Sequence, residues 1–94
     1  MPKKVVVRKV EGGKLFRLTL SRSPDKVEVM LDGDLFIHPE EGLEEIERLL
    51  AQCSNMDQER SAARFLRSKL EEGSIQIIGA DAAELVSALW EAKG

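Results

Sequence analysis

Phe16, Leu18 and Leu20 alternate with Arg17 and Thr19, and further on Val27, Val29 and Leu31 alternate with Glu28 and Met30. A period of two is the signature of a strand with one buried and one wet face. The valine-rich residues 4–10 form a strand by propensity, although poor alternation leaves its buried face open. Gly12 and Gly13 lie between the first two of these segments, and readily supply the positive φ angles of a tight hairpin turn. A polar stretch around Pro24 separates the second from the third. Three strands joined by short turns predict an antiparallel meander with one solvated face.

The period then changes. Leu43, Ile46, Leu49, Leu50 and Cys53 recur at helical spacing, opposite Glu41, Glu44, Glu45 and Arg48. This predicts an amphipathic helix of about fourteen residues. Residues 54–57 break it, and a second helix is expected over residues 57–72, with Ala62, Phe65, Leu66, Lys69 and Leu70 as its inner stripe. Gly73 suits its C-terminal stop. Residues 74–78 are short and β-branched, which fits either a fourth strand or an extended buried connector. Asp81 and Glu84 have capping-box spacing, and open a last helix that turns Ala82, Leu85, Val86 and Leu89 inward and ends near Lys93. The fold class is therefore α+β: a three-stranded antiparallel meander followed by three helices, with the short segment before the last of them. Residues 1–94 read as one domain.

Meander and helices meet in residues 33–41. Gly33 between Asp32 and Asp34 marks a turn or bulge. Leu35, Phe36 and Ile37 predict a buried extended segment. Pro39 suits the first position of a helix, where no N–H is needed, and Glu40 and Glu41 suit its first turn. This places His38 at the N-cap, although histidine is not a preferred cap.

Composition narrows the chemistry. No run approaches the roughly 20 apolar residues of a membrane span, and the basic start is followed by too short an apolar run for a signal peptide. The expectation is a cytoplasmic protein away from membranes. Cys53 and His38 are each the single residue of their type, so an internal disulfide or a cysteine–histidine zinc cluster is excluded, and no metal is expected. Charge is uneven: residues 1–26 hold eight Lys/Arg against two acids, a balance of +6, and residues 27–94 hold six against fifteen, a balance of −9. A chain with a net charge of −3 lacks the dominant basic face of a nucleic-acid binder.

The candidate residues each carry a plain structural alternative. His38, beside Asp34 and Glu40, could act as a base or fill a capping slot. Cys53 falls on an inward stripe, where a thiol behaves as a small hydrophobe. Gly12, Gly13 and Lys14 could face a phosphate, but phosphate loops are longer and run into a helix, whereas a strand follows here. Arg60, Arg64 and Arg67 share a helical face that reads as solvated. Trp90 is either a core lid or an interface anchor. No nucleophile with a base and no complete phosphate loop emerges, so the chain by itself is not expected to be an enzyme.

Gly12-Gly13-Lys14-Leu15-Phe16-Arg17-Leu18, followed by a meander strand, Gly33-Asp34-Leu35-Phe36-Ile37-His38-Pro39-Glu40-Glu41 and Leu43-Glu44-Glu45-Ile46-Glu47, resembles the C-terminal accessory domain of lipoate–protein ligase, in its separate-chain form. The family pattern is a Gly-Gly-Lys hairpin, then Gly-Asp-Phe-Phe and an Ile-His-Pro-Glu helix start, and the resemblance runs from about Lys4 to Ala92 through Ile77-Ile78-Gly79. Leu35 stands where the family more often has an aromatic, which keeps the position apolar.

The resemblance implies an accessory subunit that activates lipoate adenylation by a separate catalytic large subunit. That partner would bind lipoate, ATP and Mg, form lipoyl-adenylate, and pass the lipoyl group to a lysine of an acceptor domain. This chain would bind no cofactor itself. Gly12, Gly13, Lys14, Asp34, Phe36, His38 and Pro39 are the candidates for the partner interface. Another reading is a non-catalytic adaptor for a biotin or other acyl protein ligase. A nucleic-acid module using the basic first strands is disfavoured by the acidic remainder.

Overall fold

A computed structural model describes residues 3–10, 12 and 14–94. The fold is α+β. Three strands, β1 (Lys3–Lys9), β2 (Leu15–Arg22) and β3 (Val27–Gly33), form an antiparallel sheet in the order β1-β2-β3. Then come β4 (Phe36–His38), α1 (Gly42–Cys53), α2 (Glu59–Glu72), β5 (Gln76–Ile78) and α3 (Ala82–Lys93). The extended segment before the last helix is thus a strand. It pairs with β4 in a separate two-stranded antiparallel ribbon and not with the meander.

The period-two pattern sets the core. Phe16, Leu18, Leu20, Val29 and Leu31 are buried on the inner sheet face, and Val6 joins them from β1. The three helices cover that face with Ile46, Leu49, Leu50, Cys53, Ala62, Leu66, Leu70, Leu85, Val86 and Leu89. Each fully buried leucine of this kind contributes about 1.5–3 kcal/mol of transfer free energy. Lys69 is the exception on the α2 stripe: its side chain is exposed and reaches toward Glu72, 3.6 Å away. An ammonium stays in water and leaves only its stem along the apolar surface.

Two hydrogen bonds fix which backbone groups face which neighbour. The Val10 N–H donates to the Lys14 carbonyl at 2.8 Å, closing the first hairpin. Hydrogen-bonded pairs alternate in an antiparallel ladder, so Lys4, Val6 and Arg8 bond to β2, while Val5, Val7 and Lys9 turn their N–H and C=O groups to the open edge. The Asp34 N–H donates to the Leu15 carbonyl at 2.7 Å, so the odd-numbered residues of β2 serve β3. On the far edge of β3 the Leu31 N–H points outward and is taken up by the Glu47 carboxylate of α1 at 2.8 Å.

The junction into α1 differs from the sequence expectation. His38 is the last residue of β4 and not an N-cap, and the peptide between it and Pro39 is cis. Pro39, Glu40 and Glu41 form a turn in which the Gly42 and Leu43 amides bond to the Pro39 and Glu40 carbonyls. The helix begins only at Gly42, with Glu44 and Glu45 in its first turn. Chain direction explains the delay. Pairing with β5 keeps His38 extended, and the next residues must reverse before Gly42 can pack against Ile37 and Ile75; a Cβ there would lie 3.0 to 3.1 Å from their methyl groups. Phe36 is also corrected: it is 65% exposed, and Leu35 and Ile37 are half-buried.

The other two helices start as their sequences dictate, within two residues. At α3 both halves of the capping box form: the Glu84 N–H bonds to the Asp81 carboxylate at 2.8 Å, and the Asp81 N–H to the Glu84 carboxylate at 2.9 Å. At the end of α2 the left-handed residue is Ser74, with φ 55°, and not Gly73, with φ −88°. The Ile75 N–H reaches back to Leu70 and the Ser74 N–H to Glu71, the two bonds of a Schellman motif. A left-handed L-residue costs about 1–2 kcal/mol, which glycine avoids. Ser74→Gly is therefore expected to stabilise the protein by about 0.5–1 kcal/mol. Thermal unfolding should show a midpoint raised by a few degrees; an unchanged or lower midpoint would count against strain at this position.

Candidate functional site

The site residues are gathered by the way β3 leaves the sheet. Gly33 has φ 120°, and a Cβ on it would lie 2.6 Å from the Leu15 carbonyl oxygen and 2.7 Å from the Phe16 Cα, so only glycine lets β3 approach β2 here. The next residue, Asp34, is held twice. Its N–H donates to the Leu15 carbonyl, and its carboxylate accepts the Leu15 N–H at 3.1 Å. Asp34 is thus a clamp between β2 and the start of β4, a role that its place in a polar turn did not reveal. Gly79, φ 114°, lets the end of β5 come against the same point, where a Cβ would stand 2.8 Å from the Asp34 carbonyl.

The clamp aims β4. In the ribbon, Phe36 lies opposite Ile78, Ile37 opposite Ile77 and His38 opposite Gln76. Side chains alternate along a strand, so Ile37 and Ile77 turn toward the core, and Phe36, His38, Gln76 and Ile78 turn outward. Ile78 is 57% exposed, so the Phe36–Ile78 pair is an apolar platform left in solvent. The Lys14 ammonium stands 5.6 Å from the centre of the Phe36 ring, within cation–π range. Beside it runs an open groove of about 430 Å³ between β3, β4 and α1, with Leu31, Leu35, Phe36 and Leu43 as its apolar wall and Asp32 and Glu40 as its acids. The Asp32 carboxylate is engaged by Arg17 through two hydrogen bonds of 3.0 and 3.2 Å, and that pairing raises the Arg17 pKa above its ordinary value.

Of the sequence candidates, Lys14, Phe36 and His38 meet on or beside one exposed face. Gly12 lies exposed in the adjoining turn, and Gly13 lies outside the described residues. Pro39 is half-buried, and Asp34, itself exposed, anchors the corner through its bonds to Leu15. Gln76 and Ile78 complete the face and were missed. Their signal was the β-branched run after α2, but nothing local says which strand it will pair with. Glu47 was missed for a similar reason, since its spacing shows only a helical acid.

The remaining candidates fall elsewhere. Arg60, Arg64 and Arg67 are exposed on α2. Trp90 is half-buried against the core, with the Lys93 ammonium 3.7 Å over its ring while also donating to the Met56 carbonyl. Among the described residues no group of three His, Cys, Asp or Glu side chains is placed to hold a metal, and no helix is long and apolar enough to cross a membrane. No protein-family model, curated protein or solved structure matches the chain.

Cys53 is fully buried at the end of α1, its thiol 3.6 Å from the Ala62 carbonyl. Burial pushes the thiol up to about 11, with the charge of Lys93 pulling weakly the other way. The folded state therefore holds the proton more tightly than the unfolded chain, so stability should be flat below pH about 9 and fall between about 9 and 11. Cys53→Ala should remove that alkaline loss, and a thiol reagent should modify native Cys53 only at the rate of unfolding. Rapid modification under native conditions, or an alkaline profile unchanged by the alanine variant, would contradict this account.

Proposed function

We propose that this chain is the accessory subunit of a two-chain lipoate–protein ligase, activating lipoate adenylation on a separate catalytic subunit. The sequence resemblance to that family's accessory domain supplies the chemistry. The observation that supports it is the outward face of the β4–β5 ribbon: Phe36, His38 and Ile78 stand exposed beside Lys14, on the stretch that carries the resemblance. Exposed aromatic and aliphatic pairs flanked by polar groups are characteristic of interface anchors.

In this reading the catalytic subunit holds lipoate and ATP. The lipoate carboxylate attacks the α-phosphate and pyrophosphate leaves; a lysine amine of the acceptor domain then attacks the lipoyl carbonyl of the adenylate, forming the amide and releasing AMP and a proton. The accessory chain contributes order and no reacting group. Phe36 and Ile78 seat against the partner, and Lys14 and His38 offer donors to a loop over the nucleotide. Holding that loop in its reactive arrangement before the transition state lowers the barrier by preorganisation.

The decisive measurement is lipoate-dependent ATP–pyrophosphate exchange by a catalytic subunit with and without this chain. Exchange should rise only in the mixture. Phe36→Ala with His38→Ala should weaken the activation by about tenfold or more, the equivalent of roughly 1.4 kcal/mol, and Lys14→Ala should weaken it further, with the circular dichroism of each variant unchanged. No activation of any lipoate-binding subunit would refute the function. Full activation despite all three substitutions would refute the surface alone.

A further inference from the structure

The meander has two edges, and the fold treats them differently. At the β3 edge, α1 lies alongside and Glu47 occupies the outward Leu31 amide. At the β1 edge, the ladder alternation leaves the N–H and C=O groups of Val5 and Val7 facing outward. Their side chains are 54% and 58% exposed on the outer sheet face, in rows with Thr19 and Met30 and with Arg17 and Asp32, and Met30 is itself 59% exposed. Among the described residues no side chain takes up these backbone groups, and such an edge with exposed valines is a template for one more strand.

The charges decide what kind of strand. β1 reads Lys3-Lys4-Val5-Val6-Val7-Arg8-Lys9: two cations, three valines, two cations. A second copy pairing antiparallel about Val6 would set Lys3 against Lys9 and Lys4 against Arg8, like charges directly opposite at both ends. A strand with acids at both ends and apolar residues between them meets cations with anions and valines with apolar side chains in either direction. Arg8 is already engaged, its guanidinium pairing with Glu91 of α3 at 2.7 Å, so Lys3, Lys4 and Lys9 are the cations offered to an incoming strand. We propose that the open edge of β1 is a docking site for an extended acidic segment of a partner protein, which adds to the meander as a fourth strand. Backbone hydrogen bonds to Val5 and Val7 give it register, and Lys3, Lys4 and Lys9 select its charge. The site lies on other strands than the Phe36–His38 face, so it stands or falls independently of the ligase reading.

The test is a titration of the isotopically labelled full chain, followed by nuclear magnetic resonance and amide hydrogen exchange. The probe is the end-capped peptide Glu-Glu-Val-Val-Val-Glu-Glu, and the control is Lys-Lys-Val-Val-Val-Lys-Lys. The acidic peptide should shift β1 resonances and protect the Val5 and Val7 amides from exchange. The basic peptide should bind about tenfold or more weakly, and the gap should narrow as salt is raised. Val7→Pro removes an outward N–H without touching the β2 ladder and should abolish binding. Should that variant unfold, Lys3→Glu with Lys9→Glu, which leaves the backbone alone, should reverse the preference between the peptides. Four results would overturn the proposal: equal binding of the two peptides, shifts centred on α1 or the β4–β5 ribbon, a dimer formed through β1 without peptide, or no protection at millimolar peptide.

Discussion

Leu15 and Asp34 exchange two hydrogen bonds, the Asp34 amide to the Leu15 carbonyl and the Leu15 amide to the Asp34 carboxylate. The first extends the β2–β3 ladder by one residue. The second uses a side chain to end it, because the carboxylate takes the Leu15 amide that Asp34's own carbonyl would accept in a continuing ladder. The chain is thus released from the meander at one defined residue, in one direction, and enters β4. Gly33 makes the contact sterically possible, since any Cβ would collide with the backbone of Leu15 and Phe16. Pairing with β5, burial of Ile37 and the seating of α1 on Gly42 all lie downstream of that release.

The candidate site follows from the same constraint. A three-residue strand cannot bury both of its faces in so small a fold. The register that turns Ile37 and Ile77 to the core obliges Phe36, His38 and Ile78 to face water. Lys14 reaches the Phe36 ring because the clamp holds the end of the first hairpin beside β4. Phe36 and Ile78 therefore form an exposed apolar pair, the observation on which the proposed partner surface rests.

The sheet edges show a second economy. Backbone groups that leave the ladder must find water or a side chain. Glu47 supplies the side chain on β3, and α1 is therefore both the lid of the core and the guard of one edge. On β1, among the described residues, no side chain takes up the outward Val5 and Val7 amides, and the strand carries cations at both ends. Lysines at both ends suppress pairing with another copy while leaving the central valines accessible, which is protection against one partner and not against all.

The sequence by itself determined the meander, the faces of β2 and β3, and the three helices with their stripes apart from Lys69, because each depends on spacings of two to four residues and on turn or cap residues at fixed offsets. Phe16, Leu18 and Leu20 could face only one way, and Asp81 with Glu84 could only begin a helix. It also marked residues 33–41 as the place where sheet becomes helix. What it could not determine was which way that stretch points. Proline followed by two glutamates is as good a helix start as a reverse turn, and Leu35, Phe36 and Ile37 are equally apolar in a core or on a ribbon. The choice fell to a pairing between residues about forty apart, Phe36 with Ile78 and His38 with Gln76, together with the close approach at Gly33 and Gly79. Contacts at that separation carry no local signature. Tertiary structure alone therefore turned His38 from a cap into a strand end and brought Phe36 out of the core.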